Sequence, residues 1–264
     1  MVIISIVNQK GGVGKTTTAL ELCNNLKGKV LAIDMDPQGS LTKASGAEFT
    51  DEVYSLKDVL LDGVVIEKAI QHTGNFDVVA SNRKLADSSK IFTEIDDVYL
   101  LDDVLHKYMK AEYDYIIIDS APGRSPLLNM AYVASDYLII PLDADIDSLS
   151  GIDEVMNDIT KLKRRKLTHV KVLGSFIVAY EKTAMHEFVR DTMAEKMTSY
   201  GLEAFNTNIG KTVRIKEAKM FKMSLSQFSK ENKSKIKAAK DYANLTKEIV
   251  KRIKEDEIEA GEEN

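Results

Sequence analysis

Residues 7–18 carry the side chains with the clearest chemical purpose. The run Val7-Asn-Gln-Lys-Gly-Gly-Val-Gly-Lys-Thr-Thr-Thr18 follows a β-branched apolar segment and precedes a segment with helical apolar spacing. Its glycines leave no Cβ and allow positive φ, so successive N–H groups can converge on phosphate oxygens. The helix that follows adds a partial positive charge. The run therefore predicts a phosphate-binding loop.

The lysines and threonines of this run suit a nucleotide with its metal ion. Lys15 can reach the β- and γ-phosphates, and the hydroxyl of Thr16 suits Mg²⁺, a hard cation. A standard G-x-x-x-x-G-K-[ST] pattern would have glycine where Gln9 stands, and here Lys10 precedes the paired glycines. We therefore predict a variant P-loop whose nucleotide contacts are Lys10, Gly11, Gly12, Val13, Gly14, Lys15, Thr16 and Thr17.

Carboxylates follow two further apolar segments. Asp34 and Asp36 come after residues 30–33, and Asp119 ends the apolar run 115–118 in the manner of a Walker B strand. Ligands of open α/β sheets bind at the carboxyl ends of the strands. Beside a P-loop, Asp36 and Asp119 are therefore predicted to belong to the same site.

Short β-branched runs alternate with longer segments of helical period, which predicts a three-layer α/β/α fold with a mostly parallel twisted sheet. Residues 1–254 are expected to form one domain, and the acidic residues 255–264 a flexible tail. Expected strands are 2–7, 30–33, 76–80, 115–118, 137–141 and 170–179. Expected helices are 15–26, 56–61, 98–109, 126–134, 149–165, 184–200 and 233–254.

The net charge of −5 hides an uneven distribution. Residues 1–150 carry 13 basic and 23 acidic side chains, residues 151–254 carry 23 and 12, and the last ten residues carry six acids and no base. Cys23 is the only cysteine, which excludes a disulfide or a cysteine-pair metal site within one chain. No apolar run approaches the ~20 residues that span a bilayer, and no signal peptide is evident. We expect a soluble, cytoplasmic protein.

Three segments resemble the ParA/Soj (ParA–MinD) family of deviant Walker-type P-loop NTPases. They are the loop Lys10-Gly-Gly-Val-Gly-Lys-Thr-Thr, the run Asp34-x-Asp36-Pro-Gln-Gly, and Ile-Ile-Ile-Asp119-x-x-Pro122. Two later segments are similar to the family as well: 136–151, with Ser-Leu-Ser-Gly151, and Val213-Arg-Ile-Lys-Glu-Ala218. The resemblance implies a Mg²⁺-dependent ATPase that binds ATP and ADP.

The resemblance also implies roles for the catalytic residues. Lys10 would cross the interface of an ATP-dependent homodimer and touch the phosphates held by the other subunit, while Lys15 would hold those of its own. Asp36 would orient the attacking water, and Thr16, Asp36 and Asp119 would support Mg²⁺. Phosphoryl transfer depends on such positioning and charge neutralisation.

Some positions depart from the family pattern. Gly210-Lys-Thr212 stands where a Pro-Arg-Asn segment is usual, so the implied adenine contacts fall on Gly210 and Thr212. Acidic residues at 143, 145 and 147 exceed the usual number, and they either solvate a loop or have a function that the sequence does not identify.

The same resemblance separates branches of the family. Cys23 stands alone, which excludes iron–sulfur relatives, and we interpret it as a core residue. A membrane-binding helix of MinD type would end in a basic amphipathic segment; the stripe Leu245, Ile249, Val250 and Ile253 is instead expected to pack on the domain, because the acidic tail would be repelled by an anionic membrane. With no room before Met1 for a helix-turn-helix domain, a short Soj-like type is expected.

Two basic clusters suggest a surface for nucleic acid. One spans 161–171 and the other 211–240, and either could simply be a solvated helix face. Phosphate contacts would give binding without sequence readout. Within the second cluster, the DNA-binding candidates are Lys211, Arg214, Lys216 and Lys219.

The leading hypothesis is a nucleoid-associated ATPase that segregates a plasmid or chromosome. It would dimerise with ATP, bind double-stranded DNA non-specifically, and be stimulated by a ParB-like centromere-binding partner. Alternatives are a related ATPase that positions a cargo other than DNA and a MinD-like regulator switched by membrane.

Overall fold

The structure is a computed structural model that describes residues 1–109 and 112–262. Its strands are β1 (Val2–Ile6), β2 (Val30–Asp34), β3 (Ile70–His72), β4 (Asp77–Val79), β5 (Tyr115–Asp119), β6 (Tyr137–Asp143) and β7 (Lys171–Val178). Its helices are α1 (Lys15–Asn25), α2 (Ser40–Ser45), α3 (Leu56–Leu61), α4 (Ser88–Ile91), α5 (Leu100–Tyr108), α6 (Pro126–Ala134), α7 (Ser150–Arg164), α8 (Ala184–Ser199), α9 (Arg214–Met220), α10 (Leu225–Glu231) and α11 (Lys237–Glu262).

The strands form one sheet in the order β3-β4-β2-β5-β1-β6-β7. All pairings are parallel except β3 with β4. The parallel strands are apolar on both faces because helices cover both. The predicted three-layer, mostly parallel fold is thus confirmed, and each of the six expected strands is present.

Alternate residues of β1 show how the layers pack. Ile4 and Ile6 join a core with α1, α10 and α11, whereas Ile3 faces the core formed with α3, α5 and α6. A third cluster joins β6 and β7 to α7 and α8. Cys23 is buried in the first core, as expected for a small core residue.

The carboxyl-terminal helix differs from the expectation. Leu245, Ile249 and Ile253 are buried against the domain, which confirms that the apolar stripe packs inward. However, α11 continues to Glu262, so the expected end of the helix at residue 254 was wrong. Asp256 is held by the hydroxyl of Tyr137 at 2.8 Å and by Lys171 at 2.6 Å, and these bonds extend the ordered helix into the acidic segment.

Several short elements were not predicted. The edge strand β3 has only three residues, and α2 and α9 have six and seven. Segments this short carry too few apolar residues to show a period. Among residues 1–109 and 112–262, no helix combines the length and apolar character needed to cross a membrane.

Candidate nucleotide-binding site

The loop between β1 and α1 has the backbone conformation that its glycines were expected to permit, but at two positions only. Gly12 and Gly14 have φ of 84° and 81°, whereas Gly11 does not enter this region. Gly14 is the residue before the first turn of α1, and a Cβ there would come within 3.3 Å of Val178. A side chain at position 14 would therefore be strained both by its backbone and by β7.

Asn8 fixes the start of this loop. Its side-chain amide donates to the carbonyl of Pro141 at 2.9 Å, and its Oδ1 accepts from the backbone N–H of Lys10 at 2.9 Å. A Cβ on Gly151 would stand 2.9 Å from Oδ1 of Asn8, so glycine at 151 lets α7 approach the loop. This contact gives a physical reason for the Ser-Leu-Ser-Gly151 segment.

Lys15 is buried within the loop that it follows. Its ammonium donates to the carbonyls of Asn8 at 2.8 Å and Lys10 at 3.0 Å. Burial lowers the pKa of Lys15, while Asp119 and Asp36 oppose that shift. Two carbonyls leave the ammonium with one donor, which a phosphate oxygen could take.

The two carboxylates after β2 have different surroundings. Asp34 is fully buried and accepts hydrogen bonds from the backbone N–H and hydroxyl of Thr42, at 2.8 and 2.7 Å, and from the N–H of Asp36 at 3.1 Å. It therefore ties the loop 34–42 to the end of the strand. Asp36 is partly exposed and lines the pocket above the P-loop.

Asp119 lies beside Asp34 in the sheet, at the end of β5. It is fully buried, and within residues 1–109 and 112–262 neither carboxylate oxygen has a hydrogen-bond partner. The nearby Thr16 and Lys15 nevertheless favour its charged form. Burial and then repulsion from Asp34 raise the pKa of Asp119. A buried carboxylate without a partner next to a threonine hydroxyl fits a site completed by a cation.

One pocket collects most of the predicted residues. Glycines of the loop, Lys15, Thr16, Thr17 and Asp36 line it together with four residues that were not predicted to contact nucleotide; its full lining is Gly11, Gly12, Gly14, Lys15, Thr16, Thr17, Asp36, Ser40, Ser120, Pro122 and Lys219. Val13 is buried behind the loop. Asp119 is not part of this lining, but it is buried next to Thr16 and Lys15, which are. The pocket is thus made from the carboxyl ends of β1, β2 and β5.

Lys10 lies outside this lining. Its side chain is 42% exposed, and its ammonium is 3.9 Å from a carboxylate oxygen of Asp143, at the end of β6. Asp145 accepts from the N–H of Asp147 at 3.1 Å and so begins the 3₁₀ helix Ile146–Leu149. Two of the three unexplained acids therefore have local structural contacts.

Gly210 and Thr212 are not among the residues that line the pocket. Gly210 pairs with Tyr180 just beyond β7, and its N–H donates to Asp241 of α11 at 3.0 Å. Both stay predicted adenine contacts.

The DNA-binding candidates do not share one environment. Lys211, Arg214 and Lys216 are exposed, and the first two form ion pairs with Glu181 at 2.9 Å and Glu217 at 2.5 Å. Lys219, by contrast, is half-buried and lines the nucleotide pocket. Lys219 lies next to Ile215 and Ala218, which form the inward side of α9, and its predicted contact with DNA stays a prediction.

The two basic clusters lie at opposite ends of β7. Lys171 begins that strand, whereas Lys211 follows Gly210, which pairs beyond its carboxyl end. Eight strand residues separate these ends by about 25 Å. On one subunit the clusters are therefore separate surfaces.

Comparisons with known proteins agree with this architecture. A family model described as an AAA domain matches residues 1–172. The sporulation initiation inhibitor protein Soj of Bacillus subtilis is 30% identical over 94% of this chain and 97% of its own. The chromosome-partitioning ATPase Soj of Thermus thermophilus is 26% identical over 96% of each chain.

A solved structure gives the same result for the fold. A plasmid partition protein from Borrelia burgdorferi, bound to AMPPNP, superposes with a TM-score of 0.76 at 25% identity, covering 95% of this chain and 99% of that chain. A variant P-loop, a Walker B carboxylate at the end of β5 and matches over nearly the whole length lead to one conclusion. The chain belongs to the ParA/Soj family of P-loop ATPases.

Proposed function

We propose that this chain hydrolyses ATP with Mg²⁺ in the pocket at the ends of β1, β2 and β5. The observation that carries the proposal is the buried, unpartnered carboxylate of Asp119 beside Lys15 and Thr16. A solved relative holds AMPPNP, and another is named an ATPase, which supports the same chemistry.

Each residue has a role that follows from its position. The loop N–H groups and Lys15 bind phosphate oxygens, and Thr16, Asp36 and Asp119 would hold the metal directly or through water. The metal would neutralise charge on the phosphates when bound. Asp36 is the carboxylate in the pocket that can orient a water. Asp34 is less suited to this role, because its carboxylate already accepts hydrogen bonds from Thr42 and from the backbone N–H of Asp36.

Lys10 makes hydrolysis dependent on a homodimer in this proposal. Its side chain is exposed beside the pocket, where it could reach phosphates of a second subunit. We expect Lys10→Ala to bind nucleotide as a monomer but to form no ATP-dependent dimer in light scattering. Unchanged dimerisation would refute the role of Lys10.

We further propose that the ATP-bound dimer binds duplex DNA without sequence preference through Lys211, Arg214 and Lys216. All three are exposed, and phosphate contacts predict strong salt dependence. The test is a titration of random duplex DNA with ATP, ADP or no nucleotide at two salt concentrations. Binding that persists after Arg214→Ala and Lys216→Ala together would contradict this surface.

The cellular role would then be segregation of a plasmid or chromosome on the nucleoid, with a ParB-like partner that stimulates hydrolysis. Relatives named for chromosome and plasmid partition support this. Co-purification of a tagged chain under ATP, followed by ATPase assays with the captured protein, tests it. A partner that binds no DNA would favour a cargo of another kind.

A further inference from the structure

Lys219 is a residue of the pocket that comes from α9, whereas the rest of the lining belongs to the P-loop, to the segment between β2 and α2 with Ser40, and to the loop after β5. It belongs to α9, which packs against α2, and its half-buried side chain reaches the pocket between these helices. Among the described residues, it forms no ion pair or hydrogen bond. Lys219 therefore reaches the pocket without a hydrogen-bonding or ion-pairing partner in the described part of the chain.

The nearest charges are two buried carboxylates. Asp119 and Glu21 both interact electrostatically with Lys219, yet neither accepts a hydrogen bond from it. Both oxygens of Asp119 and Oε2 of Glu21 lack partners. Because a buried ammonium without a close anion is unfavourable, the arrangement is incomplete as it stands. Burial also lowers the pKa of Lys219.

An anion bound in the pocket would give the ammonium of Lys219 the close partner that it lacks. The pocket is lined by the P-loop, whose N–H groups and Lys15 already favour phosphate. We propose that Lys219 contacts the phosphates of the bound nucleotide, so that α9 supplies a lysine to the site in addition to Lys15. This inference rests on the proposed nucleotide binding.

The position of Lys219 connects two surfaces. Arg214 and Lys216 belong to the same seven-residue helix, and both are exposed. A phosphate contact at Lys219 would therefore hold α9 in one position when nucleotide is bound. The loop that carries Asp36 leads into α2, which packs on α9, so the contact would also involve this loop.

The test compares Lys219→Met with Lys219→Arg and with Lys27→Met, an exposed lysine after α1 that serves as control. Affinity for AMPPNP and for ADP is measured by calorimetry, once with Mg²⁺ and once with EDTA. Loss of one charge-assisted hydrogen bond should weaken AMPPNP binding about tenfold or more in both media. Lys219→Arg should keep affinity within about threefold, because it keeps the charge, and Lys27→Met should match the wild type.

The outcomes separate the two proposals. If the wild type binds no nucleotide, the proposed function fails. If the wild type binds and Lys219→Met binds equally well, only the role of Lys219 fails. Tighter binding by Lys219→Met with Mg²⁺ would also overturn it, because Lys219 would then be occupying the place of the metal.

A second measurement uses the wild type and so does not depend on folding of a variant. Lysines are acetylated with and without AMPPNP at a protein concentration that keeps the chain monomeric, and the sites are quantified by mass spectrometry. We expect AMPPNP to protect Lys219 at least threefold while leaving Lys27 unchanged. Equal labelling of Lys219 in both states would overturn the proposal.

Discussion

Strands β2 and β5 both end in an aspartate, but the two carboxylates differ in their hydrogen bonding. Asp34 and Asp119 are neighbours in the sheet register, and both are fully buried. Asp34 accepts three hydrogen bonds, whereas Asp119 accepts none. Burial raises the pKa of both carboxylates. Repulsion from Asp36 adds to the rise at Asp34, and repulsion from Asp34 adds to the rise at Asp119.

This difference indicates a structural role for Asp34 and a functional role for Asp119 at the same edge of the sheet. A satisfied buried carboxylate holds a loop in place, as Asp34 does for residues 34–42. An unsatisfied one reduces stability by about 1–3 kcal/mol and needs an explanation other than packing. At Asp119 the explanation that we propose is a cation bound with the nucleotide.

The largest expected effect comes from removing the carboxylate of Asp119, which accepts no hydrogen bond from the described residues. Asp119→Asn keeps the shape of the side chain, but it should lower the rate of ATP hydrolysis about 100-fold, because support for the metal is lost. The nucleotide-free protein should be as stable as the wild type or about 1 kcal/mol more stable, since a buried charge is gone. Steady-state phosphate release and urea unfolding check the two parts.

Activity and stability of Asp119→Asn must be interpreted together. A large loss of stability in Asp119→Asn would show that the carboxylate has a structural partner, and the contrast with Asp34 would disappear. Full activity would remove Asp119 from the proposed site.

At the satisfied end, Asp34→Ala should act on stability first. Three hydrogen bonds are lost and the N–H of Thr42 is left buried, which should reduce the free energy of unfolding by about 2–4 kcal/mol. Urea unfolding followed by circular dichroism measures this. Asp96→Ala, at an exposed carboxylate, is the control and should stay within about 0.5 kcal/mol.

Glu21 provides an intermediate case. Its Oε1 accepts from the N–H of Leu225 at 2.7 Å, while Oε2 has no partner. Burial raises the pKa of Glu21 to about 7 from 4.5. The raised pKa means that the folded state binds the proton more tightly, so this contribution to stability is complete below about pH 4.5 and is lost as the pH rises through about 7.

Glu21→Gln should remove that dependence. We expect the difference in unfolding free energy between pH 5 and pH 8 to shrink by on the order of 2 kcal/mol, because glutamine keeps the acceptor for Leu225 and does not titrate. Urea unfolding at both pH values gives the difference. A variant with the wild-type pH dependence would show that Glu21 does not titrate in this range.

How far the sequence predicts this site depends on which residues are local. The P-loop and the strand ends were predictable because adjacent residues define them and parallel strands align their carboxyl ends. The different roles of Asp34 and Asp36 were not predictable, because they depend on a hydrogen bond to Asp34 from Thr42, eight residues further along the chain. The place of Lys219 in the pocket was not predictable either, because charged residues occur all around α9 and its sequence does not show which side packs inward.

The smallest effect is the coupling between the two carboxylates. Asp34 raises the pKa of Asp119 by repulsion, so Asp119→Asn should stabilise the wild type more than it stabilises Asp34→Ala. Residues in contact usually show coupling of about 0.5–3 kcal/mol, and we expect about 1 kcal/mol here. A double-mutant cycle in urea, at pH 8 where Asp34 is ionised and Asp119 is partly ionised, measures it. If the two changes are additive, the carboxylates do not repel each other in the folded protein, and the absence of hydrogen bonds at Asp119 alone accounts for the contrast.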